Sequence, residues 1–588
     1  MLQQRRTAIL RVVRVASLTV LSALAVVPAA AQRAGDRLVE PSTGIPAAQT
    51  ARGQHGMVAS QEERATRIGV EVLEKGGNAV DAAVAVGFAL AVTLPRAGNI
   101  GGGGFMLVHG ADGQNTAIDY REIAPAATTP SLFLDQRGEA DPAKSRDSAL
   151  GVGVPGTVAG LSLALDRFGS GKFTLADLTA PAVKLAREGI PVTGDLLDSL
   201  QRGEKRLARW PSTARIFLRD ASTAPANGDT LVQHELADVL EAVGSEGPRA
   251  FYIGPVADKI VAAVRDAGGI MTRRDLEDYT PVIREPVRGT YRGWEVVSMP
   301  PPSSGGVHLI EMLNILEGYP SALIGSRSAE ALHLEIEAMK LAYGDRAAHL
   351  GDSDAVEVPF ARLISKDHAA ALRAKIDRKH ATPSRQLDPD IEAPPGGGNT
   401  THFSVVDGDG NAVANTYSLN FNFGLGLVAA GTGILLNNEL DDFAAKVGAP
   451  NAFGLLGGAA NAPGPRKRPL SSMTPAIVFK DGKPELVTGA PGGSRIITTV
   501  LQVIVNTIDG HMAIGDAVSA PRLHHQWWPD EVVVEPFFPQ DRMLALIAMG
   551  HRVRTGPLSG SAHSIAVAGR NLTGAADLRA VGASAKGY

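Results

Sequence analysis

A threonine stands where a proline- and glycine-rich stretch gives way to an alternating apolar one. Pro394-Pro395-Gly396-Gly397-Gly398-Asn399 is followed by Thr400-Thr401-His402-Phe403-Ser404-Val405-Val406. A hydroxyl at Thr400 has two possible uses. It can simply start a strand, where threonine is favoured. Or it can attack the Asn399 carbonyl to give an ester that water hydrolyses. The second route frees an α-amine beside the hydroxyl. Such an amine titrates at about 7.7–8, so part of it is neutral near neutral pH and can take the hydroxyl proton. Gly492 and Gly493 invite a second chemistry. Two glycines just before a helix N-terminus let backbone N–H groups approach a developing oxyanion, and the helix dipole adds to the effect. The same pair also suits a tight turn with Ser494 as the helix cap.

Other chemistries are missing. No Gly-x-Ser-x-Gly elbow and no His-Glu-x-x-His occur. The chain has no cysteine, which excludes disulfides, thiolate nucleophiles and cysteine-based metal sites. His524-His525 resembles a metal pair, but neighbours in a strand point to opposite faces, so both are read as structural. The loop Gly169-Ser170-Gly171-Lys172 is not a phosphate loop, because Asp166 stands where that motif needs its first glycine. No metal and no cofactor is expected.

The elements that must hold these groups follow from periodicity. Gln61–Lys75 has helical spacing and stops at Gly76-Gly77. Asn78 is placed to cap a second helix, Ala79–Val92, so apolar that it should be buried on most sides. Gly101-Gly102-Gly103-Gly104 feeds a strand at Phe105–Val108, with its partner at Thr116–Arg121. Residues 151–350 read as mostly helical. Residues 378–399 form the clearest linker. Beyond it Thr401–Val406, the turn Asp407-Gly408-Asp409-Gly410 and Asn411–Leu419 predict a hairpin. Strands are predicted at Gly433–Leu436, Ala476–Lys480 and Glu485–Thr488, and a helix from Ser494 to about Ile508 with a broad apolar face. A helix-rich first part thus precedes a strand-rich second part.

Several motifs in this order resemble the γ-glutamyltransferases (γ-glutamyltranspeptidases). They are Asn399-Thr400-Thr401-His402-Phe403-Ser404-Val405-Val406-Asp407, Gly433-Ile434-Leu435-Leu436-Asn437-Asn438, Arg468-Pro469-Leu470-Ser471-Ser472-Met473 and Pro491-Gly492-Gly493-Ser494-Arg495. Gly98-Asn99-Ile100-Gly101-Gly102-Gly103, Asp119-Tyr120-Arg121-Glu122 and Gly153-Val154-Pro155-Gly156 extend the likeness over essentially the whole mature chain. The resemblance implies an α+β, four-layer αββα sandwich of the N-terminal nucleophile hydrolase type. It implies self-cleavage between Asn399 and Thr400 into a large piece, 32–399, and a small piece, 400–588, that remain together as a heterodimer.

Residue by residue, the resemblance makes Thr400 the nucleophile toward a γ-glutamyl amide such as glutathione. Water or an amino acid or dipeptide acceptor would take the acyl group. Arg121 becomes the clamp on the donor α-carboxylate, for which a planar guanidinium is well shaped. Read alone, Arg121 would more simply pair with Asp119 or Glu122. Ser471 and Ser472 would help hold that carboxylate. Asp442, with Asn420 and Glu439, would bind the donor α-ammonium. Read alone, Asp441-Asp442 would cap a helix over Phe443-Ala444-Ala445-Lys446. Gly492 and Gly493 become the oxyanion hole. Thr416 and Ser418 would lie near the nucleophile and assist maturation; relatives commonly carry threonine at position 418. Asn451–Pro465 resembles a lid loop, with Phe453 where some relatives carry tyrosine.

Bulk properties agree with such an enzyme. Lys+Arg 57 against Asp+Glu 61 gives a net charge of −4, which argues against a nucleic-acid partner. Arg5, Arg6, Arg11 and Arg14, the apolar run Val15–Val27 and Pro28-Ala29-Ala30-Ala31 read as a signal peptide, residues 1–31. The mature chain is expected to be periplasmic or secreted, with no membrane anchor. A glutaryl-type acylase of the same fold, whose donor lacks the α-ammonium, is the alternative. A non-enzymatic scaffold is a further one, against which the intact Thr400, Arg121 and Gly492-Gly493 speak.

Overall fold

The computed structural model describes residues 44–384, 399–558 and 560–588; the expected signal peptide and most of the expected linker lie outside them. Fourteen strands build two seven-stranded sheets. In chain order they are β1 (Gln49–Gly53), β2 (Gly56–Ser60), β3 (Gly103–His109), β4 (Asn115–Tyr120), β5 (Val282–Arg284), β6 (Val287–Tyr291) and β7 (Trp294–Ser298). They continue with β8 (Thr400–Asp407), β9 (Ala412–Ser418), β10 (Ala476–Lys480), β11 (Lys483–Thr488), β12 (His563–Ala568), β13 (Asn571–Ala576) and β14 (Ser584–Gly587). One sheet has the order β1-β13-β12-β11-β10-β7-β6, the other β14-β2-β8-β9-β3-β4-β5. Every pairing within both sheets is antiparallel.

Side-chain alternation sorts the hairpin β8–β9 onto two faces. Phe403, Val405, Val413 and Tyr417 point into a core under helices. Val406, Ala412 and Ala414 point the other way. There they meet Val297, Ile477, Phe479 and Ile565 of the second sheet. Thr400, His402, Thr416 and Ser418 share the second parity, so the hydroxyls and the imidazole line the space between the sheets. The outer core packs α1 (Glu63–Glu74), α2 (Ala79–Thr93), α3 (Thr157–Phe168), α4 (Leu175–Glu188) and α5 (His234–Glu246). The opposite outer core packs α6 (Gly305–Glu317), α7 (Ala329–His349) and α9 (Arg495–Ile508) against Val296, Val478 and Leu486, with α8 (Lys366–Arg373) lying on α6. This is an α+β fold of two large antiparallel sheets flanked by helices.

Local signals explain why these elements form. The Asn78 side chain accepts hydrogen bonds from Val80 and Asp81 N–H, and the Asp81 carboxylate accepts one from Asn78 N–H, a full capping box. Every residue of α2 is buried, as its unbroken apolar run requires. α9 buries Ile496, Ile497, Val500, Leu501 and Ile504 on its broad apolar face, each contributing about 1.5–3 kcal/mol.

The helix-rich first part is found, with 151–350 mostly helical, and it also supplies seven of the fourteen strands of the two large sheets, including the hairpin β6–β7. Two expectations need correction. No helix follows Asp442. Glu439–Asp442 is itself a single 3-10 turn, and Phe443 ends it in extended conformation. Ser494 makes no side-chain cap bond to α9; its backbone is already helical, which turns the hydroxyl away from the free N–H groups.

Candidate active site

Thr400 is the first residue of β8 and lies opposite Ser418, the last of β9, which in turn lies opposite Gly103 of β3. The predicted glycine loop makes this corner possible: a Cβ on Gly102 would fall 2.0 Å from the Ser418 carbonyl oxygen. Asn99 fixes the same carbonyl, donating from Nδ2 at 2.9 Å while its Oδ1 accepts from Gly102 N–H and Thr157.

The bond between Asn399 and Thr400 is held from several sides. The Ser418 hydroxyl donates to the Asn399 carbonyl oxygen at 3.0 Å. The Asn420 N–H donates to Ser418 Oγ at 2.6 Å, which occupies a lone pair and steers the serine proton toward that carbonyl. Asn420 reaches this position with φ of 78°, and its own carbonyl accepts from Asn399 N–H at 2.8 Å. Arg96 donates to the Asn399 side-chain oxygen and is itself paired to Asp195 at 2.6 Å. Thr400 is 5% exposed, so this carbonyl is polarised in a largely dry setting.

Thr416 has a different partner from Ser418. Ser404 Oγ donates to the His563 carbonyl, so it accepts from His402 Nε2–H, and the Thr416 hydroxyl must donate to His402 Nδ1 at 2.8 Å. Burial, then the neighbouring His563, holds the His402 pKa well below the usual histidine range. His402 is thus a neutral spacer that fixes the Thr416 proton away from Thr400.

A second cluster lies along the chain from Asn420, whose side-chain amide donates to the Asn438 carbonyl at 3.0 Å. Glu439 and Asp442 follow, and both grip Arg121. The guanidinium donates to Glu439 Oε1, to Asp442 Oδ2 at 2.6 Å and to the Pro469 carbonyl at 3.1 Å. Arg121 is fully buried. Its side chain does not pair with Asp119, which takes the Arg121 backbone N–H and the Arg284 guanidinium at 2.8 Å, and Glu122 stands off at 3.8 Å. Three carboxyls around one cation leave negative charge in excess. Burial raises the Glu439 pKa to about 7 and pushes Glu122 well up, with Glu439 repulsion next. Burial also raises Asp442, against the pull of Arg121.

Ser471 and Ser472 border this cluster. The Ser471 carbonyl accepts from the Ser304 hydroxyl at 2.7 Å. Arg346 donates to Ser304 Oγ at 3.0 Å and to Ser472 Oγ at 3.3 Å, bringing a second buried guanidinium beside the serines. On the far side, Asn451 Nδ2 approaches Asp442 Oδ1 at 3.5 Å and Asn451 Oδ1 accepts from Phe453 N–H. The Phe453 ring stacks on Phe421 at 5.5 Å and 11°. It also covers Gly493: a Cβ there would meet the ring at 2.8 Å. Gly492 and Gly493 have φ of 139° and 57°, accessible mainly to glycine, and lie immediately before α9.

The structure thus draws the sequence-predicted residues into two linked groups: Asn399, Thr400, Ser418 and Asn420 in one, Arg121, Glu439, Asp442 and Ser472 in the other. Arg96, Asn99 and Arg346 were missed. Asn99 sits in a quoted motif, so its spacing to Gly102 was a usable signal. Arg96 and Arg346 gave none, since isolated arginines are ordinarily surface charges. His524 and His525 are structural as expected, bonded to Thr498 and Gln526 and to Asp530.

The chain thus carries a threonine after a carbonyl that Ser418 holds, two glycines in left-handed conformation before α9, and an arginine held between two carboxylates. A profile of the γ-glutamyltranspeptidase family matches residues 65–587. The glutathione hydrolase proenzyme of Escherichia coli (strain K12) is 51% identical over 539 residues, covering 91% of this chain and 92% of that protein. Among solved structures, a cephalosporin acylase from Bacillus halodurans superposes with a TM-score of 0.81 at 28% identity, covering 92% of this chain and 97% of that one. The γ-glutamyltranspeptidase of Helicobacter pylori gives 0.54 at 43% identity over 55% of this chain and 93% of that one. The chain belongs to the γ-glutamyltranspeptidase family and is an enzyme of that class.

Proposed function

We propose that the chain is a self-processing γ-glutamyltransferase and glutathione hydrolase with Thr400 as its nucleophile. The observation that carries this reading is the buried Arg121–Asp442 pair with Glu439. A guanidinium and a carboxylate joined to each other are the complement of an amino-acid head group. A γ-glutamyl donor would place its α-carboxylate on the Arg121 fork and its α-ammonium on Asp442, exchanging one ion pair for two. Ser471 and Ser472 would complete the carboxylate's hydrogen bonds. A glutaryl side chain has no ammonium and would offer Asp442 no new partner when its carboxylate takes the Arg121 fork, which disfavours the acylase reading.

Maturation would come first. Thr400 Oγ1 attacks the Asn399 carbonyl that Ser418 polarises, the C–N bond breaks, and water hydrolyses the resulting ester. The liberated α-amine takes the Thr400 proton when Oγ1 attacks the donor γ-carbonyl. Gly492 and Gly493 N–H groups would receive the oxyanion. The amine product leaves, and water or an amino acid or dipeptide resolves the acyl-enzyme. Pieces 32–399 and 400–588 would stay together in a four-layer αββα sandwich of the N-terminal nucleophile hydrolase type. Removal of residues 1–31 on export would leave the enzyme periplasmic or secreted; no described helix is long and apolar enough to cross a membrane. N-terminal sequencing of the small fragment is expected to read Thr-Thr-His-Phe, and γ-glutamyl anilide to be cleaved far faster than glutaryl anilide. A Thr400→Ala protein that still splits would overturn the nucleophile assignment. A preference for the glutaryl substrate would overturn the donor.

A further inference from the structure

Three helices of the outer layer each direct one side chain to a common point away from the site above. Glu311 on α6, Asp345 on α7 and His368 on α8 bring one carboxylate oxygen each and the imidazole Nε2 within 4.8 Å of one another. His368 Nε2 lies 2.6 Å from Asp345 Oδ2 and 3.5 Å from Glu311 Oε1. Glu311 is fully buried, and its Oε1 has no hydrogen-bond partner. Its other oxygen accepts from His308 Nδ1 at 2.6 Å. Among the described residues no lysine or arginine comes within ion-pair distance of either carboxylate. The only arginine at the cluster is the exposed Arg362, 3.4 Å from His368 Nδ1.

Two converging carboxylates, one of them desolvated, have only the His368 imidazole between them, and a divalent ion bound there would take over its role as their positive partner. We infer that Glu311, Asp345 and His368 form a binding site for a divalent transition-metal ion of the zinc class. Two carboxylates and a neutral imidazole balance a 2+ charge, and oxygen–nitrogen donor sets suit zinc. Ligands at about 2.0–2.2 Å in a tetrahedral shell lie roughly 3.4 Å apart, so the His368–Asp345 pair would open from 2.6 Å while the His368–Glu311 pair already stands at 3.5 Å. His308 already provides an outer hydrogen bond that leaves Glu311 Oε1 free to ligate. Asp345 and His368, whose side chains are 19% and 13% exposed, leave a narrow way in from solvent; metal on Nε2 moves the imidazole proton to Nδ1 and displaces Arg362. The other histidine cluster, His333, Glu337 and His551, is a poorer host. Lys340 already neutralises Glu337 at 2.9 Å, and the two imidazoles bond each other at 2.7 Å. The inferred site departs from the sequence-based expectation of no metal.

The test uses the purified full-length protein, stripped with a chelator and titrated with Zn²⁺ by calorimetry and with Co²⁺ by visible absorption. One equivalent per chain is expected, with a cobalt band typical of four- or five-coordinate N/O ligation. Asp345→Asn and His368→Gln should each weaken binding about tenfold or more and abolish that band. His551→Gln should leave both unchanged. Failure of the wild-type protein to take up stoichiometric metal overturns the inference whether or not any variant folds. Wild-type affinity in both ligand variants overturns it equally.

Discussion

At the scale of single residues, proton direction separates groups that look alike in the sequence. Thr416 and Ser418 sit two apart on one strand face, and both were expected near the nucleophile. Only Ser418 points its proton at the Asn399 carbonyl, because Asn420 N–H fills its lone pair. Thr416 spends its proton on His402. Replacing Ser418 with alanine removes one donor from the carbonyl that becomes an oxyanion during cleavage. Processing should slow by about 10²-fold. A denaturing-gel time course at fixed temperature reads this directly, and Thr416→Ala should slow it far less. The donor site makes an equally sharp claim. Asp442→Asn keeps the shape and hydrogen bonding but removes the charge that complements an α-ammonium. Activity on γ-glutamyl anilide should fall about 10- to 100-fold while glutaryl anilide is little affected. The ratio of kcat/KM for the two substrates is the measurement.

At the scale of elements, what could be read ahead divides along a physical line. Local patterns were legible: the Asn78 cap with its apolar helix, the Asp407–Gly410 turn that closes β8 on β9, and the apolar stripe of α9 all depend on residues near one another in the chain. The hairpin β6–β7 and the C-terminal strands β12 to β14 were not, because short apolar runs do not distinguish strand from buried helix, even where the pairing partner is the next segment of the chain. The residues that gather around Thr400 and Arg121 were legible through motif resemblance, but the Arg121 pairing was not, since Asp119 and Glu122 are nearer in sequence than Glu439 and Asp442. Gly493 is an element-scale constraint of the same kind. With φ of 57° and the Phe453 ring against it, Gly493→Ala should leave folding and processing intact but lower kcat about 10²-fold, by turning the N–H at the start of α9. Helix α7 carries a different tension. Glu335 is buried with neither carboxylate oxygen bonded, and burial raises its pKa to about 7, partly opposed by Arg327. Because the folded-state value lies above the unfolded one, its ionisation costs nothing below about pH 4.5 and destabilises as pH rises toward and past 7. The cost reaches about 3 kcal/mol. Glu335→Gln should therefore raise the melting temperature at pH 8 and leave it nearly unchanged at pH 5.

At the scale of the whole molecule, the expected cleavage point does not divide the protein into two domains. Strands from before and after Thr400 alternate across both sheets. In one, β2 lies between β14 and β8, and β9 lies against β3; in the other, β1 lies against β13 and β10 against β7. Cutting the chain between Asn399 and Thr400 therefore leaves three seams in one sheet and two in the other, each closed by backbone hydrogen bonds. The core between the sheets is shared as well, with Phe105 and Leu107 packed beside Ile477 and Phe479. Separating the pieces would expose ten strand edges and that core to water, a cost far above the few kcal/mol of an ordinary protein–protein contact. The two fragments should thus co-elute as one particle on size-exclusion chromatography after complete processing, at any protein concentration and in high salt. They should part only in denaturant, in a transition that coincides with loss of secondary structure. Fragments that exchange or separate under native conditions would mean that these sheets are not built from both pieces.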